Sequence, residues 1–223
     1  MTENTVTLTP LGGLGEIGMN CLCMETKDSM IVIDCGLMFP EDYHFGIDVV
    51  IPRFDFILER KDKLRAIILT HGHPDHVMAV NQLKKATGAK LMMHPGDTDI
   101  LNDRMLYFML GMQNGEKIQP DVWLEEGQLI KAAGKEFTVM HTPGHSRGSI
   151  CILGNGMLFS GDLLFAGGIG RFDLPGGNET QIMKSLARLA ALDEGVKVYP
   201  GHGPETTIGA ERRGNFYLQN LPK

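Results

Sequence analysis

The sequence has no CxxC pair, no apolar run near the roughly 18 residues of a membrane span, no basic excess and no Pro-, Gly- or Ser-rich tract. Each absence removes a class of protein. The four cysteines, Cys21, Cys23, Cys35 and Cys151, are too few and wrongly spaced for a disulfide scaffold or a zinc ribbon. The opening MTENTVTLTP has neither a basic segment nor an apolar core, which predicts a cytoplasmic chain with reduced, buried thiols. Lys and Arg number 21 against 27 Asp and Glu, a formal charge of −6, so neither nucleic acid nor a membrane surface is an expected partner. Without a linker, low-complexity tract or repeat, residues 1–223 read as a single domain, a monomer or homodimer.

What is present is a chain of short apolar runs divided by turns, with 28 glycines to make them. Strands are expected at Val6–Thr9, Asn20–Glu25, Met30–Asp34, Arg65–Thr70, Lys90–His94, Glu136–His141, Ser149–Leu153, Gly156–Ser160 and Val196–Tyr199. Asp75–Thr87 reads as one helix, Pro95–Gly115 as irregularly helical, and Glu179–Leu192 as a helix capped by Asn178. Strands grouped in two blocks suggest two sheets face to face with helices outside, although periodicity alone does not separate this from other mixed folds.

The most informative segment is Thr70-His-Gly-His-Pro-Asp-His76, which follows an apolar strand and opens a helix. His71 and His73 alternate along an extended loop, so both imidazoles can face one point. Asp75 and His76 begin the helix and can face a point beside it. Crowding such groups next to a buried strand is expensive unless a cation compensates them. Further ligand candidates stand at strand ends beside glycines: His145 in HTPGHS, Asp162 in SGD and His202 in PGHG. Imidazole and carboxylate together suit zinc, and also iron or manganese.

With these residues in view, the chain resembles the metallo-β-lactamase-fold hydrolases. HTPGHSRGS, LFSGDLLFAGGIGRFDLPGGN and VYPGHGPETTIGAERRGN are most similar to short glyoxalase II-type (hydroxyacylglutathione hydrolase-like) proteins. LGGLGEIGMNCL, MIVIDCGLMFPED and the segment ending LTHGHPDH resemble the start of ribonuclease J-type enzymes. The resemblance implies an α+β, four-layer αββα sandwich. It implies that His71, His73 and His145 hold one divalent metal ion, that Asp75, His76 and His202 hold a second, and that Asp162 bridges both. Asp75, His76 and Asp162 then also belong to the catalytic machinery.

Two divalent cations ~3.5–4 Å apart lower the pKa of a shared water toward ~7, and the hydroxide attacks a carbonyl or phosphoryl centre. The expectation is a binuclear hydrolase of a small thioester or ester, glyoxalase II-like, with zinc as the metal. The alternatives are a ribonuclease or phosphodiesterase of the same superfamily, and an iron-dependent persulfide dioxygenase, whose family shares the GRxD segment at Arg171. The resemblance to glyoxalase II-type proteins implies that Arg171 contacts the substrate, at the glutathione carboxylate or backbone; a solvated or structural ion pair is the competing reading. The Gly12–Gly18 loop lacks the Lys-Ser/Thr of a phosphate loop and reads as a turn brought close to the metal edge. Asp34 is a candidate orienter of a ligand histidine, or a turn cap. His44, His94 and His141 read as structural, and the stretch Met105–Met112 as core packing or a cover for the site.

Overall fold

The computed structural model describes residues 5–15, 18–38, 50–103, 116–132 and 134–221. Period-2 alternation organises its centre. In β2 (Cys21–Glu25) and β3 (Met30–Ile33), Cys21, Cys23, Met30 and Val32 face one side, while Leu22, Met24, Ile31 and Ile33 face the other. Both faces are buried, so this sheet must be covered twice.

The first sheet runs β1-β2-β3-β4-β5-β6, with β1 Thr7–Gly12, β4 Leu64–Ile68, β5 Lys90–Met93 and β6 Val122–Trp123. Its β3, β4, β5 and β6 are parallel, and the β1–β2–β3 part is antiparallel. The second sheet runs β14-β13-β10-β9-β8-β7. Its strands are β7 Leu129–Ala132, β8 Lys135–His141, β9 Ile150–Gly154, β10 Met157–Gly161, β13 Lys197–Pro200 and β14 Thr206–Thr207. The short pair β11 (Leu164–Phe165) and β12 (Gly168–Ile169) lies apart.

Between the sheets lies an apolar layer that includes Ile33, Ile68, Phe137, Val139, Ile152 and Phe159. A second layer packs Ile67, Leu69 and Leu91 of the first sheet against Ile57, Val77, Val80 and Leu83 of the helices. A third packs Cys151, Leu158 and Val198 of the second sheet against Ile182, Leu186, Leu189 and Ile208. The result is the expected four-layer αββα sandwich. All four cysteines are buried and unpaired. Among the described residues no helix is long and apolar enough to cross a membrane.

Most strand boundaries fall within a residue or two of the sequence reading, whereas the helix expected at Asp75–Thr87 divides into Pro74–Val77 and Val80–Thr87. The cause is competition for backbone groups. Cys35 N–H donates to His76 O and Ala79 N–H donates to Cys35 O, so the chain after β3 takes the bonds that would continue the helix. The helix Glu179–Ala190 begins as expected, with Asn178 accepting from Gln181 N–H. Strands β6, β7 and β14 and the helix Ile208–Gly214 were not legible, being short or weakly periodic. Of Pro95–Gly115, a 3-10 turn (Pro95–Asp97) and the helix Thr98–Leu101 are described; residues 104–115, with the methionine-rich stretch, lie outside the described residues, as does His44.

Phe137 is 1% exposed between the sheets, so Phe137→Ala should lower unfolding free energy by about 3–5 kcal/mol in urea titrations. Leu129 on the edge strand is 60% exposed, and Leu129→Ala should change it by no more than about 0.5 kcal/mol.

Candidate metal centre

The two sheets meet at one edge, where Ile150 N–H of β9 donates to Thr70 O just past β4. Each candidate ligand leaves a strand end at this edge. His71 and His73 follow β4, and Asp75 and His76 occupy the first turn of the helix Pro74–Val77. His145 follows β8, Asp162 follows β10, and His202 follows β13.

The structure gathers all seven into two adjoining groups. Ligand atoms of His71, His73 and His145 lie within 4.8 Å of one another, as do those of Asp75, His76, Asp162 and His202. His73 Nδ1 is 2.8 Å from His145 Nε2, which is 3.2 Å from His71 Nε2. His202 Nε2 is 3.0 Å from Asp75 Oδ2 and 3.2 Å from Asp162 Oδ2. His145 Nε2 is 3.7 Å from Asp162 Oδ2, so Asp162 touches both groups.

The outward nitrogens are anchored. His76 Nδ1 is 2.8 Å from Asp34 Oδ2, and His145 Nδ1 is 2.7 Å from Arg171 O. Each contact favours a proton on Nδ1 and turns Nε2 inward. His71 Nδ1 lies 3.2 Å from Thr70 Oγ1, and Gly18 N–H reaches His202 Nδ1 at 3.2 Å. Asp34 also accepts from Thr70 N–H and Oγ1–H at 2.7 and 2.8 Å. It is buried with φ of +60°, a left-handed conformation tolerated by Asp and stabilised here by three bonds. Of its two sequence readings, orienter and turn cap, the geometry favours the orienter.

Charge divides between the groups. Burial, then His76, His145 and His73, holds His71 well below its usual range. Burial, then His145, lowers His73 to about 4. Burial opposes charge on His76, but Asp162, Asp34 and Asp75 outweigh it and raise its pKa well above normal. Burial also opposes charge on His202, but bonds to Asp162 and Asp75 raise it to about 9. Asp75 and Asp162 are pushed down despite burial, first by His76 and then by His202. His71 and His73 therefore stay neutral, while Asp75 and Asp162 stay ionised. Asp162 Oδ1 is buried 3.2 Å from His76 Nε2 without a well-formed hydrogen bond. Mixed nitrogen and carboxylate donors converging in this way fit two divalent cations.

Two contributors escaped the sequence reading. Asp97, fully buried, accepts from Gly72 N–H, Gly148 N–H and Ser146 Oγ–H at 2.9, 2.6 and 2.7 Å. It ties the His71–His73 loop to the His145 loop. Asn20 places Nδ2 2.8 Å from His76 Nε2 and 3.2 Å from Asp75 O. Neither stands in a histidine motif; the one signal was a polar residue beside an apolar strand. The Gly12–Gly18 turn does approach this edge: Gly15 N–H donates to Gly203 O, while residues 16 and 17 lie outside the described residues. His94 and His141 stack at 3.9 Å away from both ligand groups, and His141 Nε2–H donates to Arg147 O.

A cleft of about 870 Å³ opens on the cluster, lined by His73, Asp75, His145, Asp162 and His202 together with apolar side chains. Arg171 lies on its rim, 63% exposed, in a two-bond pair with Asp173 at 2.9 Å each.

Residues 14–202 match the profile of the Metallo-beta-lactamase superfamily. The chain is 38% identical over 202 residues to hydroxyacylglutathione hydrolase GloC of Haemophilus influenzae, covering 84% of this chain and 93% of that one. A shorter stretch of 84 residues is 51% identical to ribonuclease J of Helicobacter pylori, 38% of this chain but 12% of the enzyme. Among solved structures, the BLEG-1 B3 metallo-beta-lactamase superposes with a TM-score of 0.79 at 29% identity, over 96% of this chain and 100% of that one. TTHA1623 in a di-iron-bound form superposes with a TM-score of 0.73 at 34% identity, over the same shares.

A Cβ on Gly201 would lie 2.2 Å from Asp162 Oδ1 and 2.8 Å from His76 Cε1. Gly201→Ala should therefore keep the fold yet lose at least one bound metal equivalent, read by elemental analysis. In metal-free protein, His73 resists protonation until about pH 4, so acidification from about 6.5 charges the unfolded chain first and stability falls. His202 contributes stability that is complete below about 6.5 and is lost as pH rises through 9. Urea midpoints of metal-free protein should fall on both sides of about pH 6.5, and His73→Ala should flatten the acid side.

Proposed function

The chain belongs to the metallo-β-lactamase superfamily, and from that premise we propose that it is a binuclear metal-dependent hydrolase of a small thioester or ester, glyoxalase II-like in its reaction. The observation that carries this reading is the convergence of seven ligand-type side chains in two adjoining groups at the floor of one cleft. The GloC relative, matched over most of both chains, supports the thioester over other acyl substrates.

His71, His73 and His145 would hold one ion, Asp75, His76 and His202 the other, with Asp162 reaching both. Divalent cations supply a Lewis acid and an activated water there. The chain's own part is to fix the donors. Asp34 and the Arg171 carbonyl turn the Nε2 atoms of His76 and His145 inward. Asp97 locks two ligand loops together. Asp75 and Asp162 supply the negative charge that the first histidine group lacks, and Asp75 would also orient the reacting water. Zinc suits this donor set; iron is the second metal to test, since TTHA1623 is similar and holds two irons. A mononuclear iron site of two His and one Asp would leave the second group without a role, which favours hydrolysis over the dioxygenase alternative. The ribonuclease J likeness keeps phosphodiesters as the competing substrate class. Four buried free thiols fit a reducing, cytoplasmic setting.

The test couples metal analysis to assays with S-lactoylglutathione, a neutral thioester and a bis-nitrophenyl phosphodiester. Metal-loaded protein should carry two equivalents and cleave thioesters at least ten times faster than the phosphodiester. His73→Ala should lose metal and turnover together. Normal metal content and turnover in that variant would defeat the assignment.

A further inference from the structure

Away from the ligand cluster the cleft is walled by Leu37, Met38, Ile100, Phe165, Ile169 and Leu174. Its volume, about 870 Å³, suits a small organic molecule. Histidines aside, Arg171 is the one basic residue among the described residues lining it. That guanidinium is already engaged: Nε and one terminal nitrogen each donate to an Asp173 carboxylate oxygen at 2.9 Å.

We propose that the site selects thioesters whose acyl and thiol halves are both uncharged, at least one of them apolar, over those of a carboxylate-bearing thiol such as glutathione. The inference rests on the thioester reading and adds the substrate class to it. With Arg171 paired to Asp173, a substrate carboxylate meets little net positive charge on this wall, and to reach the remaining guanidinium N–H groups it must lie beside the Asp173 carboxylate. An alkyl chain meets no such competition and buries against the six apolar side chains. In the reaction the acyl C–S bond breaks and a C–O bond to water forms. The products are a carboxylic acid and a thiol, the thiol's proton coming from the same water, with no oxidant or reductant required.

The experiment compares zinc-loaded protein on butanoyl thioesters of N-acetylcysteamine, a neutral thiol, and of glutathione, with acetyl and hexanoyl N-acetylcysteamine thioesters as a length series. The neutral butanoyl thioester should show kcat/KM at least ten-fold above its glutathione counterpart. Within the neutral series kcat/KM should rise by up to about four-fold per added methylene until the cleft is filled. Asp173→Ala, which releases Arg171, should improve the glutathione thioester at least three-fold and leave the neutral one unchanged. Equal or better hydrolysis of the glutathione thioester, or no gain along the neutral series, would overturn the substrate class while leaving the hydrolase reading in place. Failure of fully loaded protein to cleave any thioester would overturn both.

Discussion

Five imidazoles and two carboxylates packed at the junction of two sheets impose the constraint from which the rest of the structure follows. Removing that many ionisable groups from water costs several kcal/mol each unless charges are paired or a cation enters. The protein meets part of this cost internally. Asp75 and Asp162 pair with His76 and His202, while His71 and His73 stay neutral. What remains is a set of inward imidazole nitrogens and a buried Asp162 oxygen whose one close partner, His76, makes no well-formed hydrogen bond to it, an arrangement completed by positive charge.

Two buried aspartates outside the ligand set hold that arrangement in place. Asp34 lies past the end of β3 and reaches Thr70 and His76, so the first sheet fixes the histidine motif from behind. Asp97 follows β5 and clamps Gly72 to Gly148, so loops from different sheets share one anchor. For Asp97, burial pushes the carboxyl pKa up, and the hydrogen bonds from Ser146, Gly148 and Gly72 oppose that push. The same demand explains the divided helix after Pro74. The chain beyond β3 has to lie against His76, and it takes the helix's hydrogen bonds to do so.

The sequence made the ligands legible because they occur in dense or glycine-flanked motifs at the ends of apolar strands. The strands were legible because β2, β3, β4 and β9 alternate between two buried faces. Asp97 and Asn20 stayed hidden for the opposite reason. Their roles depend on contacts 25 to 56 residues away in the chain, and no local pattern records such contacts. Strands of two residues such as β6 and β14 exist only through pairing with a neighbour, so periodicity has nothing to detect. For Arg171, the sequence placed it near the site but not its partner; two positions along the chain, Asp173 occupies the guanidinium.

Reactivity and selectivity are carried by different parts of this scaffold. The ligands sit where rigid strands end, held by backbone and carboxylate bonds that tolerate little displacement, as the short Cβ approaches at Gly201 make plain. The cleft walls come from segments beyond those ends: Leu37 and Met38 after β3, Ile100 after β5, Phe165 and Ile169 in the small sheet, Leu174 after it. Their side chains can change without moving a ligand. A fold divided in this way keeps one hydrolytic centre while its cleft is rewritten for different acyl and thiol groups, so resemblance of the centre predicts the reaction, and the walls decide the substrate.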